Sequence, residues 1–208
     1  MLIDGKDHQY HDGSEGTNAS WAVAAVIGYA TGPGWMAVTS DATDAYRLVN
    51  DKVTRVHRTL VYLKPDVVVF LDRVALKDAA ASVQVRFQAN NEDAAAELSS
   101  TDDGFRINRP HATLVGRVAR TAGRTVHIDK LPLEEQDGNY PFAEVVSSAA
   151  SEHELLTVCS ARPAGESHGD LKITAEGGQW RVQGKHASQD INVTIAASGD
   201  AAPKIEIG

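Results

Sequence analysis

Two long apolar runs lie between Val53 and Leu76 and meet at the sequence Lys64-Pro65-Asp66. Both runs are rich in Val, Leu and aromatic residues, which is typical of β-strands. Pro65 cannot continue a helix and disfavours helical geometry at the residue before it, so the chain is expected to turn there. Residues 67 to 71 are apolar without alternation, as expected of a strand buried on both faces. The pattern predicts a hairpin at the centre of a sheet protein.

Alternation of apolar and polar residues recurs along the rest of the chain with a period of two, which indicates strands with one wet face. The segments that show it are SVQVRFQA, GFRINR, RTVHIDK, LKITAE, GQWRVQG, DINVTIAAS and KIEIG. Turn-forming residues such as Asp102-Asp103-Gly104 and Gly177-Gly178 separate these segments. Many short strands at this spacing predict an all-β fold, a large antiparallel stacked-sheet sandwich of the supersandwich type with few or no helices.

Two segments are harder to assign from pattern alone. The alanines of SWAVAAVIGYA suit a helix, but Gly28 and the following TGPG turn keep the run short, and we interpret it as a strand. The segment NNEDAAAELSS is the one helical candidate, although between two strands it is equally compatible with a hairpin arm. No repeat or linker interrupts the chain, so residues 1–208 are expected to form a single domain.

Composition narrows the partners that the chain can have. The formal net charge is −8 over 208 residues, which argues against a nucleic-acid partner because binding a polyanionic backbone needs clustered Lys and Arg. The single cysteine, Cys159, lies in an apolar run and is expected to be buried, and no disulfide within the chain is possible. No apolar span or leader suggests a membrane partner, and we expect the natural chain to continue upstream of Met1.

A first group of candidate functional residues lies in the polar sequence DHQYHDGSE, where His11 and Asp12 stand among further His and acidic residues. Imidazole and carboxylate groups suit zinc or another divalent cation, and a loop can bring two or three of them together. A polar loop of an acidic protein also contains such residues by chance, so both interpretations stay open.

A second group lies on and beside the first strand of the central hairpin. On a strand, His57 shares a face with Val53, Arg55 and Thr59, whereas Arg58 points to the other side. His57 is either a functional group or a histidine hydrogen-bonded across the sheet. Upstream, SDATDAYRL contains Tyr46, and a tyrosine can act as an acid or base in sugar chemistry. A strand edge with a polar turn explains the same residues.

In combination, several segments resemble the heparinase II/III-like domain, the β-sandwich part of certain polysaccharide lyases. They are LIDGKDHQ, VTSDATDAY, VTRVHRTLVYLKPDVVVFLDRV, INRPHATLVGRV and HELLTVCSA, which together extend to about Arg162. The resemblance implies stacked antiparallel sheets preceded by an α/α toroid, which is absent here, and an active site in the cleft between the two. It also implies a periplasmic or secreted bacterial protein.

Such lyases cleave uronate-containing polysaccharides, such as glycosaminoglycan or alginate, by β-elimination. Through the resemblance, Tyr46 and Arg58 are expected to bind substrate, and His11, Asp12 and His57 to ligate zinc or another divalent cation. The family usually has a histidine in a His-Asn-Thr sequence just before the segment that matches LIDG, and this chain starts after that point. No residue of the chain is therefore assigned as catalytic.

The first hypothesis is thus a lyase β-sandwich domain that forms one wall of a substrate cleft, with an anionic polysaccharide and an upstream toroid as partners. The isolated chain is expected to be inactive. The alternative is a non-catalytic carbohydrate-binding or structural β-sandwich. Its sparse aromatics, which make up 6% of residues, weaken the carbohydrate-binding version. A third possibility is a sandwich that serves as the interface of a homo-oligomer.

Overall fold

The computed structural model describes residues 1–8, 22–133 and 138–208 and consists almost entirely of antiparallel strands. The elements in chain order are β1 (Leu2–Ile3), β2 (Ala25–Gly32), β3 (Trp35–Asp41), α1 (Thr43–Arg47), β4 (Val53–Leu63), β5 (Val67–Leu76), β6 (Ala81–Gln88), β7 (Glu97–Thr101), β8 (Gly104–Arg109), β9 (Ala112–Val118), β10 (Arg124–Lys130), β11 (Pro141–Ala150), β12 (Glu152–Pro163), β13 (Asp170–Glu176), β14 (Gln179–His186), β15 (Gln189–Ala196) and β16 (Lys204–Ile207).

The described part of the chain forms three sheets that stack in layers, with the largest in the middle. The central sheet has eight strands in the order β2-β3-β4-β5-β12-β9-β8-β7. An amino-terminal sheet of order β1-β6-β11-β10 packs on one face, and a carboxy-terminal sheet of order β13-β14-β15-β16 packs on the other. The predicted stacked-sheet sandwich with hardly any helix is confirmed.

The β4–β5 hairpin lies in the middle of the central sheet, as its sequence predicts. The two strands pair from Leu63 opposite Val67 outwards, with residues 64–66 as the turn. Val69 and Leu71 of β5 face the carboxy-terminal sheet, whereas Val74 faces the amino-terminal sheet, and all three are fully buried. Because burying one such side chain contributes about 1.5–3 kcal/mol, a strand buried on both faces binds the layers together.

Two local predictions need comment. The segment NNEDAAAELSS forms no helix; its last residues form β7, which pairs with β8, so the hairpin interpretation was the better one. Conversely, the sequence analysis missed α1. The carboxylate of Asp41 accepts hydrogen bonds from the backbone N–H and the hydroxyl of Thr43, which turns the chain into this short helix after β3.

Other expectations concern burial and membranes. Cys159 is a buried free thiol, as expected, and burial raises its pKa to about 12. Within the described part of the chain, no helix has both the length and the apolar character needed to cross a membrane.

Substitution of Gly116, in β9, tests how tightly the core around Phe105 is packed. A Cβ at Gly116 would lie 2.2 Å from the ring of Phe105, which is fully buried. We expect Gly116→Ala to lower the free energy of unfolding by about 1–3 kcal/mol, because the ring has no free space to enter. Chemical denaturation measures this. Gly32→Ala is the matched control, since its Cβ meets only the half-buried side chain of Trp35. Equal costs for the two variants would contradict the packing described here.

Candidate functional site at the polar end of the central sheet

Polar residues concentrate where β3 and β5 end and β4 and β12 begin. At this end of the central sheet, Asp41, His57, Arg73 and Glu154 lie opposite one another on four adjacent strands. One position further along, Arg58 lies opposite Asp72. Because successive side chains of a strand point to opposite faces, the row that contains His57 and the pair that contains Arg58 face different layers.

Arg58 and Asp72 form a two-pronged ion pair on the face that carries the amino-terminal sheet. The Nε atom donates to Oδ1 at 2.6 Å and the Nη2 atom donates to Oδ2 at 3.1 Å. The Asp72 side chain is 1% exposed and the Arg58 side chain 37% exposed. Burial alone would lower the pKa of Arg58, but the Asp72 carboxylate outweighs it and raises that pKa. Arg58 is therefore a fixed, permanently charged group at the surface of this layer.

Tyr46 lies beside this pair but is directed into the core. It is 6% exposed, and its hydroxyl donates to the backbone carbonyl of Met1 at 2.7 Å. Burial raises the pKa of Tyr46 to about 12, against the opposing effect of the Arg58 guanidinium. The ring of His8 lies 5.6 Å from that of Tyr46.

His57 lies on the opposite face and is 3% exposed. Its Nε2 atom is 3.5 Å from Oδ2 of Asp41, and its buried Nδ1 atom has no hydrogen-bond partner among the described residues. Burial lowers the pKa of His57; the Asp41 charge opposes this, and the charges of Arg73 and Arg55 reinforce it. Asp41 has the reverse balance, since burial would raise its pKa but the Thr43 hydrogen bonds and His57 lower it. The pair is a neutral imidazole beside a carboxylate.

Two arginines on the His57 face join residues 199–201, in the loop between β15 and β16, to the central sheet. Arg73 donates to the carbonyls of Gly199 and Ala201, and Arg55 donates to Asp200 and pairs with Glu152. This loop, β4 and α1 border an open cavity of about 360 Å³ that Asp41, His57 and Asp200 help to line. The cavity is polar and lies on the side of β4 away from Arg58.

The structure brings the predicted substrate residues together but separates them from His57. Tyr46 and Arg58 lie on one face and His57 on the other, as the strand alternation predicts. Val53 is the exception, because a β-bulge between Val53 and Arg55 turns its side chain to the Tyr46 side. The sequence analysis missed Asp72 and Arg73 as partners. The symmetric hairpin turn was a usable signal, since pairing Leu63 with Val67 sets Arg58 opposite Asp72.

Of the three predicted metal ligands, His57 lies among the described residues. His11 and Asp12 lie outside the described residues. Among the described ones, no group of three or more His, Cys, Asp or Glu side chains could hold a metal ion. Among the described residues, Asp41 is the carboxylate within 4.0 Å of His57, and the charges of Arg73 and Arg55 act on the same ring. The described residues alone do not fit a metal centre, and ligation by His11, Asp12 and His57 together stays a prediction.

Comparison with known proteins gives matches at the level of structure only. The chain matches no protein-family profile and no curated protein sequence. It resembles the solved heparan sulfate lyase HepC from Pedobacter heparinus with a TM-score of 0.60 and 10% identity, over 89% of this chain and 28% of that one. A solved heparinase III gives a TM-score of 0.59 and 10% identity, over 85% of this chain and 28% of that one.

The chain thus spans less than a third of the length of these lyases. Their identity to it is too low to show more than the fold, and the resemblance noted in the sequence is consistent with that fold. The chain has the stacked β-sandwich fold that forms part of the heparan sulfate lyases and heparinase III.

Proposed function

We propose that the chain is the β-sandwich domain of a polysaccharide lyase that cleaves uronate-containing polysaccharide by β-elimination, and that it forms one wall of the substrate cleft. The observation that carries this proposal is the fold match, which covers most of this chain and a minor part of each lyase. The rest of the active site, including an α/α toroid, belongs in this proposal to polypeptide outside the 208 residues.

Arg58 is the residue of this chain that would bind the uronate carboxylate of the substrate. Its Nε and Nη2 atoms are used by Asp72, and its Nη1 atom makes no hydrogen bond to the described residues. A partly exposed guanidinium with one nitrogen to spare can donate to the carboxylate of a uronate. Because Asp72 fixes its direction before substrate arrives, the charge needs little reorganisation during the reaction.

The steps of β-elimination show which role the Arg58 charge would have. A base removes the proton from C5, the electron pair forms the C4–C5 double bond, and the bond from C4 to the leaving oxygen breaks while an acid protonates that oxygen. Negative charge spreads from C5 onto the uronate carboxylate as the proton leaves. The Arg58 guanidinium beside the carboxylate would stabilise that charge, and the base and acid come from outside this chain.

Tyr46 has a supporting part in this proposal. Its proton is donated to the Met1 carbonyl, and its pKa of about 12 keeps the hydroxyl protonated at neutral pH, so it is unsuited to act as a base. Because Tyr46 belongs to α1, its hydrogen bond to Met1 joins α1 to the residue that precedes β1. Contact between Tyr46 and substrate stays a prediction, as do the divalent cation and the periplasmic or secreted location.

The alternative of a carbohydrate-binding module gains no support from the described tryptophans. Trp180 is 8% exposed and donates its indole N–H to Glu154, and Trp35 is half-buried at the edge of the second core. A sugar-stacking surface needs exposed aromatic rings side by side, and these two rings do not form one.

The proposal predicts that loss of the Arg58 charge weakens elimination without removing the fold. In the full-length protein that contains this chain, we expect Arg58→Gln to lower kcat/KM by about a hundredfold, on the order of an oxyanion-stabilising group. Formation of unsaturated uronate, followed by ultraviolet absorbance, measures this. A wild-type protein inactive on all common polyuronates would overturn the proposal.

A matched variant separates chemistry from stability. Arg58→Gln leaves Asp72 buried without its partner, which destabilises the fold. The double variant Arg58→Gln with Asp72→Asn replaces the ion pair by two amides, so we expect it to recover much of the thermal stability but none of the activity. Recovery of activity along with stability would show that Arg58 only supports the fold.

Tyr46 generates a prediction about alkaline pH. A folded-state pKa of about 12, against an ordinary value of 10.0, means that its contribution to stability is complete below pH 10 and disappears as pH rises toward 12. The loss amounts to about 2–3 kcal/mol. Denaturant unfolding at a series of pH values should therefore show a smaller alkaline decline for Tyr46→Phe than for wild type. Parallel declines would contradict the burial of this hydroxyl.

A further inference from the structure

A basic segment stands out within this acidic chain. Residues 104–128 contain five arginines and no Asp or Glu, although the whole chain has a net charge of −8. The arginines are Arg106, Arg109, Arg117, Arg120 and Arg124. The segment comprises β8, β9 and the start of β10. Positive charge is thus concentrated in one part of the fold.

Ion pairing sets three of these arginines apart. Of the 12 arginines in the sequence, nine have a carboxylate within 4.0 Å, among them Arg109 and Arg117. Arg106, Arg120 and Arg124 have no such partner among the described residues. Within the described ranges, every arginine without an ion pair therefore falls in the basic segment.

Some buried N–H donors of the basic segment have no hydrogen-bond acceptor among the described residues. Arg124 donates from Nη1 to the carbonyl of Ala119 at a long 3.4 Å, and its buried Nε atom has no partner among the described residues. Arg117 pairs with Asp103 at 3.6 Å, yet its buried Nη1 atom is likewise unpartnered. Burial lowers the pKa of Arg124 to about 10, an effect that the charge of Glu154 only partly offsets. A buried donor without an acceptor costs about 1–3 kcal/mol, which an incoming acceptor can recover.

Two cavities adjoin these side chains. One, of about 380 Å³, is lined by Arg117 and Arg120, and the other, of about 520 Å³, by Arg120, Arg124, Thr121 and Thr125. The Thr125 hydroxyl is hydrogen-bonded to His127 Nε2 at 2.9 Å. Carboxylates line the cavities too, namely Asp102, Asp103 and Asp170. Asp103 is occupied by Arg117 and by the hydroxyl of Thr101, and Asp170 lies 3.8 Å from the Lys172 ammonium. Asp102 lines the larger cavity together with Arg120 and Arg124, and Arg120 donates from Nη2 to the backbone carbonyl of Asp102 at 3.3 Å. Two arginine charges therefore face one carboxylate in that cavity.

We propose that Arg120 and Arg124, with the adjoining threonine hydroxyls, bind the sulfate or carboxylate groups of an anionic polysaccharide at a surface separate from Arg58. Two strands, β5 and β12, lie in the central sheet between β4, which carries Arg58, and β9, which leads to Arg120, so these two strands are about 14 Å apart. The proposal deepens the proposed function by adding a binding surface, but it does not depend on catalysis. Guanidinium groups match planar carboxylates and sulfate oxygens with paired N–H donors.

The test is equilibrium binding of a heparin oligosaccharide of defined length to the 208-residue chain at several salt concentrations. We expect the double variant Arg120→Gln with Arg124→Gln to bind about tenfold more weakly at low salt, and the slope of log affinity against log salt to fall by roughly two. The control, Arg181→Gln with Lys204→Gln, removes the same charge from two exposed side chains and should bind within about twofold of wild type.

Several outcomes would overturn the inference. Wild-type binding that equals that of the Arg120 and Arg124 double variant, or an equal loss in the control, would show that the site is elsewhere or that only net charge matters. Inorganic sulfate is the second arm, and if it protects the chain against thermal unfolding as well as the same concentration of oligosaccharide sulfate does, the surface takes small anions rather than a polysaccharide. The lyase proposal is tested separately, by formation of unsaturated uronate in the full-length protein, so failure here and failure of the lyase proposal are distinguishable.

Discussion

The rest of the structure depends on covering both faces of the central sheet. Strands β4, β5 and β12 carry apolar side chains on each face, and neither face can remain in water without a large loss of stability. The amino-terminal sheet covers one and the carboxy-terminal sheet the other, so the three layers form around two separate cores. The chain shares its fold with a part of the lyases at 10% identity.

That constraint also explains where the polar residues can lie. The apolar stretches occupy the middle of β4 and β5 and their turn-side halves, so the charged side chains of these two strands lie near the end of the sheet where α1 and the loop between β15 and β16 pack. Strand alternation then sends Arg58 to one layer and His57 to the other. Buried Asp72 fixes Arg58, whereas Asp41 and two arginines surround His57. Strand β4 therefore places the charged Arg58 side chain on one surface and the neutral His57 imidazole in a cavity on the other face.

The sequence predicted the strands well, because period-two alternation and turn residues are local signals that the tertiary structure keeps. It predicted the hairpin turn and the opposite directions of Arg58 and His57 for the same reason. It could not predict α1, which depends on the Asp41 hydrogen bonds to Thr43, or the bulge that moves Val53. The burial of Tyr46 against Met1 joins residues 45 positions apart, and no local pattern encodes such a contact.

In the proposed reaction, the chain contributes a positive charge that binds the uronate carboxylate, and the base and acid lie outside it. That charge is Arg58, which buried Asp72 orients. The most direct test of the central claim is mass spectrometry of polysaccharide cleaved by the full-length protein in water enriched in the heavy oxygen isotope. Elimination breaks the chain without adding water, so the account predicts fragments with an unsaturated uronate end and no heavy oxygen at the cleaved bond. Saturated fragments that carry the label would show hydrolysis and contradict it.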